Sequence, residues 1–389
     1  MPDLVIVGGG PAGLATSIFG AIAGLSSIVI ERRSLPMDKP CGEGIMPPGV
    51  ALLEEMGVQV PHARFLGIRY VDGDTVAEGR FPTRAGWGVR RTALVEGLFH
   101  RAQELGVELR FGTRATGWSA ARDRVRVDSL GGPVEGRFLI AADGLHSKLR
   151  KEAGLQRLAR GAKRFGVRRH FRVRPWSPCV EVHWNNEAEA YLTPVASEEL
   201  GVALLSSGAP TRFEESLSHF PGLEERLAGA PVVSEVQGAG PFRQCVRRRY
   251  RGRLALVGDA AGYLDALTGE GLSLGFHCAQ ALVATIAKGD ELSSYETAYR
   301  RLSRTYYLMT GLLLAVARRP GLRRRLIDAF AETPEIFDRL LAISTGERPI
   351  HHLGSGGLIR LLQVLAGRSG RARSGRFRSG VSLGRREFR

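Results

Sequence analysis

Three glycines, Gly8, Gly10 and Gly13, stand directly behind a run of four apolar residues, and that order constrains the chain more than any other feature it has. Leu4-Val5-Ile6-Val7 reads as a buried parallel strand, Pro11 to Gly24 as the helix that follows, and Ser27 to Ile30 as a second strand ending in Glu31. Dinucleotide binding needs these parts in this sequence. The first glycine turns tightly, the second lets the backbone approach a pyrophosphate, and the third lets helix and strand pack closely. Pro11 and Ala12 open the helix, whose N-terminus offers unpaired N–H groups and partial positive charge to phosphates. Glu31, eighteen residues past Gly13, is placed to accept hydrogen bonds from a ribose diol. A glycine turn without a ligand would need none of this register.

At 389 residues the chain is long enough for two domains with appendages. Its four cysteines (Cys41, Cys179, Cys245 and Cys278) form no CxxC pair and no metal spacing, which fits reduced thiols in a cytoplasmic protein. With the first strand beginning almost at Met1, no signal peptide is expected. The longest uncharged apolar run near the C-terminus, Thr305 to Ala317, has thirteen residues, and a spanning helix needs about 20. The net charge of +16 raises nucleic acid as a partner. Much of the excess lies in residues 367–389, which carry eight arginines and one glutamate in a low-complexity, disordered-type sequence. No helix-turn-helix, RRM or zinc pattern accompanies it, so nucleic acid is the weakest of the candidate partners.

The nucleotide-binding part is assembled from separated pieces. Val107 to Phe111 and Arg124 to Asp128 read as strands, and the run 137–142 ends in Asp143-Gly144. The strand Arg253 to Val257 ends in Gly258-Asp259. A strand that stops at such a pair puts a carboxylate at the carboxyl edge of a parallel sheet, where ligands of open α/β folds bind. These signals predict a nucleotide-binding domain from residues 1–66, 87–160 and 245–290. Residues 161–244 have strand composition with period-2 stretches, and 67–86 adds strands to the same mostly antiparallel sheet. Residues 291–366 turn helical, and the tail is 367–389.

GGGPAG at 8–13, LIAADG at 139–144 and LALVGDAAG at 254–262 resemble the three fingerprints of the flavoprotein superfamily that includes aromatic hydroxylases, flavin halogenases and geranylgeranyl reductases. Lys39-Pro-Cys-Gly-Glu-Gly and Leu267-Thr-Gly-Glu-Gly-Leu look most like the geranylgeranyl-reductase-like branch and the monooxygenases close to it. The resemblance implies bound FAD in an α/β, Rossmann-like domain with the nucleotide fold of glutathione reductase. It also implies an inserted antiparallel β-sheet substrate domain and a helical C-terminal segment.

It further implies roles. Asp259, after Gly258, holds a ribityl hydroxyl. Gly269 and Gly271 open a helix from Leu272 toward Ile286 whose N-terminal dipole faces the flavin pyrimidine edge. Glu270, in the same turn, either bears charge there or caps the helix. Asp143 and Gly144 contact the pyrophosphate, directly or through a more remote structural hydrogen bond. Arg91 reaches the phosphate or ribityl region, with Arg90 as the alternative or partner. Ala115 matches the backbone position at adenine, and Arg32 a residue packed along it. Cys41, before Gly42, matches a residue close to the isoalloxazine, or else a small residue filling a tight loop. Arg168, Arg169, His170 and His183 are candidates to line the substrate cavity.

Two departures matter. The aromatic Tyr-x-Trp-x-Phe-Pro strand of polyprenyl reductases is here Glu189-Ala-Tyr-Leu-Thr-Pro, and the Trp-x-Trp-x-Ile-Pro motif of halogenases is missing, although Lys39 keeps a lysine near its place. Gly354-Ser-Gly-Gly follows no strand, so NAD(P)H is expected as a transient reductant and not in a domain of its own. The expected activity is an NAD(P)H-dependent monooxygenase using O2 on a hydrophobic or aromatic small molecule. Reduction of isoprenoid double bonds is the alternative, and a nucleic-acid-binding protein with structural FAD the third reading. No general acid or base is assigned. The apolar run and basic residues at 305–325 suggest either peripheral membrane contact or an ordinary amphipathic core helix.

Overall fold

A computed structural model describes residues 1–353. The Arg-rich tail and the Gly354-Ser-Gly-Gly run lie outside the described residues. The glycine fingerprint folds as its sequence requires. Leu4–Val7 pairs in parallel with both Ser27–Glu31 and Phe138–Ala141. These are the middle of a six-stranded sheet ordered Tyr250–Arg251, Leu254–Leu256, Phe138–Ala141, Leu4–Val7, Ser27–Glu31, Glu108–Phe111. The Tyr250–Arg251 edge strand is antiparallel to its neighbour. Leu4, Val5 and Ile6 are fully buried, as the continuous apolar run of a parallel strand should be.

Among the described residues ten α-helices follow in chain order: α1 (Pro11–Ile22), α2 (Pro47–Glu55), α3 (Arg91–Glu104), α4 (Lys148–Glu152), α5 (Phe213–Leu217), α6 (Pro221–Leu227), α7 (Gly271–Ala287), α8 (Leu292–Ala317), α9 (Pro320–Glu332) and α10 (Pro334–Ser344). Helix α1 starts with proline at its first position, where no N–H is needed, and packs on α3 and α7. Where one strand is expected at 124–128, the chain forms a three-stranded meander of Ala115–Ala120, Val125–Ser129 and Val134–Gly136. Its Val125, Val127 and Val134 join the core of the parallel sheet.

The second large sheet has seven strands, ordered Gln237–Ala239, Arg164–Phe171, Glu199–Ser207, Ala188–Ala196, Val180–Trp184, Gly67–Asp72 and Thr75–Arg80. It is antiparallel except that Val180–Trp184 runs parallel to Gly67–Asp72. A long connection, and not a hairpin, separates those two strands, so nothing forces them to be antiparallel. Alternation gives the sheet two buried faces. Ala190 and Leu192 pack with α5 and α6 through Phe213, Leu217 and Leu223. Tyr191 faces the other way, toward a core shared with α8, α9 and α10 through Val316, Phe330 and Phe337. Arg323 of α9 fastens those helices to the sheet, its Nε donating at 2.8 Å to Asp72 and its Nη1 at 2.7 Å to the Asn185 carbonyl.

Candidate active site

The carboxyl edge of the parallel sheet, the face of the seven-stranded sheet and helices α7 to α10 enclose one cavity of about 750 Å³. Fourteen of the expected cofactor residues line it: Gly10, Pro11, Ala12, Arg32, Cys41, Gly42, Arg91, Asp143, Gly144, Gly258, Asp259, Gly269, Gly271 and Leu272. Gly8, Gly13, Glu31 and Ala115 stand behind the wall.

The two hidden glycines act by sterics. A Cβ on Gly13 would lie 1.9 Å from the Gly8 carbonyl oxygen, and one on Gly8 would lie 2.2 Å from the Ala142 oxygen. Strand and helix meet too closely for any side chain there. Glu31 is 5% exposed. Its two oxygens accept the Gly9 N–H at 2.8 Å and the Arg33 N–H at 3.0 Å, which fixes the glycine turn and leaves further lone pairs for a diol. Ala115 begins the meander and packs against the core.

The arginine pair separates. Arg91 lines the cavity 3.9 Å from where a Gly10 Cβ would be, and its buried Nε has no protein partner. Arg90 forms an ion pair with Glu199 instead. Burial lowers the Lys39 ammonium, which is also repelled by Arg91, Arg33 and Arg32 and drawn by Glu31. Four cations therefore meet at one end of the cavity. Asp259 is held up by burial against the pull of Arg91, Lys39 and Arg150. A half-buried guanidinium with an unpartnered Nε over a Cβ-free turn, two helix N-termini and an inward carboxylate suit the phosphates and hydroxyls of FAD.

Asp143, which lines the cavity, is also engaged within the protein. Its carboxylate accepts from the Ser147 hydroxyl at 2.5 Å and the Leu149 N–H at 3.1 Å, tying down the start of α4. Glu270 is a correction: although it is the N-cap residue of α7, its side chain makes no capping hydrogen bond. It is buried near Ser344, and loss of water pushes its carboxyl up to about 8. The phenol of Tyr70, on the cavity wall, is raised by burial and by the nearby Glu270 charge.

Of the four candidates on the seven-stranded sheet, Arg168 alone lines the cavity. Arg169 turns outward to Glu214, and His183 pairs with Glu181. His170 is fully buried behind the wall, in a network that sequence reading missed. Arg168 donates from Nη1 to His170 Nδ1 at 3.0 Å and pairs through Nη2 with Asp38 and the Lys39 carbonyl. An arginine can only donate, so Nδ1 accepts and the ring proton sits on Nε2. That proton goes to Glu43 Oε2 at 2.5 Å. Glu43 also accepts the Arg91 N–H at 2.7 Å, and it adopts a left-handed φ of 59°. Its presence in Lys39-Pro-Cys-Gly-Glu-Gly, beside Cys41, is the sequence signal that could have found it.

Beyond Cys41 the cavity becomes apolar, walled by Phe81, Val182, Leu313, Val316, Phe330 and Phe337. Phosphate contacts, flavin-facing loops and apolar chamber thus follow one another along a single space, the plan of a flavin-dependent oxidoreductase. The chain belongs to the FAD binding domain family, whose model matches residues 2–306. It is 29% identical over 302 residues to a menaquinone reductase of Mycobacterium tuberculosis, covering 70% of this chain and 73% of the relative. It is 26% identical over 342 residues to the digeranylgeranylglycerophospholipid reductase of Methanococcus vannielii, covering 77% and 82%. To the para-nitrophenol 4-monooxygenase of a Pseudomonas strain it is 27% identical over 332 residues, covering 74% and 79%. Among solved structures, a flavoprotein/dehydrogenase from Cytophaga hutchinsonii superposes with a TM-score of 0.75 at 18% identity, covering 94% of this chain and all of that one. OxyS anhydrotetracycline hydroxylase of Streptomyces rimosus gives 0.68 at 24%, covering 89% and 76%. The protein is an FAD-dependent oxidoreductase.

Proposed function

We propose that this enzyme reduces a carbon–carbon double bond in a lipophilic, isoprenoid- or quinone-like molecule, with electrons from NAD(P)H. The observation that carries the reading is the apolar chamber opening from the Cys41–Gly42 loop and the start of α7. The menaquinone and digeranylgeranylglycerophospholipid reductases among its relatives support it. Bound FAD would supply the hydride chemistry. Arg91, Gly10 and Asp259 would hold its chain, and the N-terminus of α7 would favour negative charge on the ring edge. Phe81, Phe330 and Phe337 would bind the substrate and exclude water. The free thiols Cys41, Cys179, Cys245 and Cys278 support a cytoplasmic location.

Monooxygenation of a hydrophobic aromatic compound is the second reading, favoured by the aromatic wall and by the para-nitrophenol 4-monooxygenase relative. One experiment separates the two. Purified enzyme is given NADPH or NADH and a short-chain menaquinone under ¹⁸O₂, and the product is weighed by mass spectrometry. A product that stays heavier by two hydrogens after the ring has been reoxidised to the quinone, formed equally well without oxygen, supports reduction of a side-chain double bond. Uptake of one labelled oxygen atom replaces it with the second reading.

A further inference from the structure

Leu312 belongs to two surfaces at once. It lines the cavity, yet it is 51% exposed, so the apolar chamber reaches the outside of the molecule along α8. One turn earlier Leu308 is 52% exposed. Arg304, Leu308, Leu312 and Ala315 recur at three- and four-residue steps and are all exposed, so they form one outward stripe of α8, and exposed Arg318 and Arg319 follow just past its end.

The charge around this stripe is of one sign. Between Glu296 and Asp328 the chain has eight arginines and no acidic residue. Arg300 pairs with Glu296, and Arg323 with Asp72. Arg301, Arg304, Arg318, Arg319, Arg324 and Arg325 are exposed and form no ion pair among the described residues. The last four gather where α8 turns into α9.

We propose that this face of α8 and the α8–α9 corner dock on an anionic lipid bilayer, seating Leu308 and Leu312 at the headgroup–acyl boundary so that the chamber opens into the membrane. Guanidinium groups around an apolar centre match acidic headgroups around acyl chains. Nucleic acid would satisfy the arginines but leave both leucines in water. A second copy on a two-fold axis would bring two such cationic surfaces together. Docking gives a lipophilic substrate a path that avoids water, and it rests on the proposed function only in that purpose.

The test is co-flotation of the full chain with vesicles of phosphatidylcholine alone or with added phosphatidylglycerol, which needs no turnover. Wild type should float with the anionic vesicles and lose binding as salt rises. Leu308→Glu with Ala315→Glu, neither of which lines the cavity, keeps every arginine, including those of residues 367–389, and should weaken partitioning by about tenfold or more. Retained flavin absorbance verifies the fold of the variant. Equal flotation of variant and wild type, no flotation of wild type, or a light-scattering mass of a dimer that the double variant abolishes would each overturn the proposal. A substrate-reduction assay in detergent, unchanged in the variant, keeps this outcome separate from the proposed reaction.

Discussion

His170 Nε2 lies 2.5 Å from Glu43 Oε2, a contact between residues 127 positions apart. It joins the strand next to one edge of the seven-stranded sheet to the loop that carries Lys39 and Cys41. Because Glu43 also accepts the Arg91 N–H at the start of α3, one carboxylate registers three pieces of chain around the cofactor site. The left-handed backbone of Glu43 is maintained by those contacts, since an L-residue there is otherwise disfavoured.

Replacing Glu43 by Gln tests this arrangement with almost no change in size. The amide has one oxygen to offer where two N–H groups point, so the Arg91 N–H or the His170 Nε2–H is left buried and unpaired. The variant should lose about 1–3 kcal/mol of stability in urea unfolding, and FAD should wash out faster on gel filtration. An unchanged midpoint and unchanged retention would show that the network organises nothing.

Gly13→Ala should abolish recovery of flavin-loaded protein. Its Cβ would lie 1.9 Å from the Gly8 oxygen, a backbone atom that can yield only by separating helix from strand. Gly10→Ala meets nothing nearer than Arg91 Nη2 at 3.9 Å, so it should fold normally and fail in cofactor affinity. Circular dichroism beside flavin absorbance distinguishes the two failures.

Arg91→Ala should fold and bind FAD more weakly by about ten- to a hundredfold, the value of a charge-assisted contact of roughly 1.5–3 kcal/mol. Arg90→Ala should leave affinity nearly unchanged, because that guanidinium is engaged by Glu199. Fluorescence titration of apoprotein with FAD reads both. Equal losses would mean that the two arginines share the phosphates.

What could be read from the sequence was what is local in it. Leu4 to Gly13, the strand into Asp143-Gly144 and the strand into Gly258-Asp259 each carry strand, turn and ligand group within about ten residues, so pattern and chemistry reinforce each other. The network of Asp38, Glu43, Arg168 and His170 was illegible because its members meet only after two sheets have formed. The meander beginning at Ala115 was missed for another reason. Ala-Thr-Gly-Trp-Ser-Ala has no apolar alternation, and its pairing to Val125–Ser129 and the latter's to Val134–Gly136 supply what composition does not. Helices α8 to α10 were legible as helices, but their place as a wall of the cavity depends on a tertiary anchor, Arg323 on Asp72.

Glu270 gives a pH dependence whose sign follows from its surroundings. Burial raises its carboxyl from 4.5 to about 8, and no cation opposes the shift. The α7 N-terminus draws negative charge, but the side chain makes no hydrogen bond to the helix end that would realise it. Between those two values the folded protein holds a proton that the unfolded chain releases. Stability must therefore fall as pH rises through this window, and it is fully present only below 4.5. Glu270→Gln removes the proton and with it that share of the fall. Urea unfolding of wild type and variant at pH 5, 7 and about 9 should show the variant gaining on wild type at each step, by on the order of a few kcal/mol over the range. Parallel curves would mean that Glu270 titrates as an ordinary surface glutamate and that water reaches it. If the curves diverge as expected, the carboxyl is neutral at pH 7, and the wall of the apolar chamber beside Tyr70 carries no charge against a lipophilic ligand.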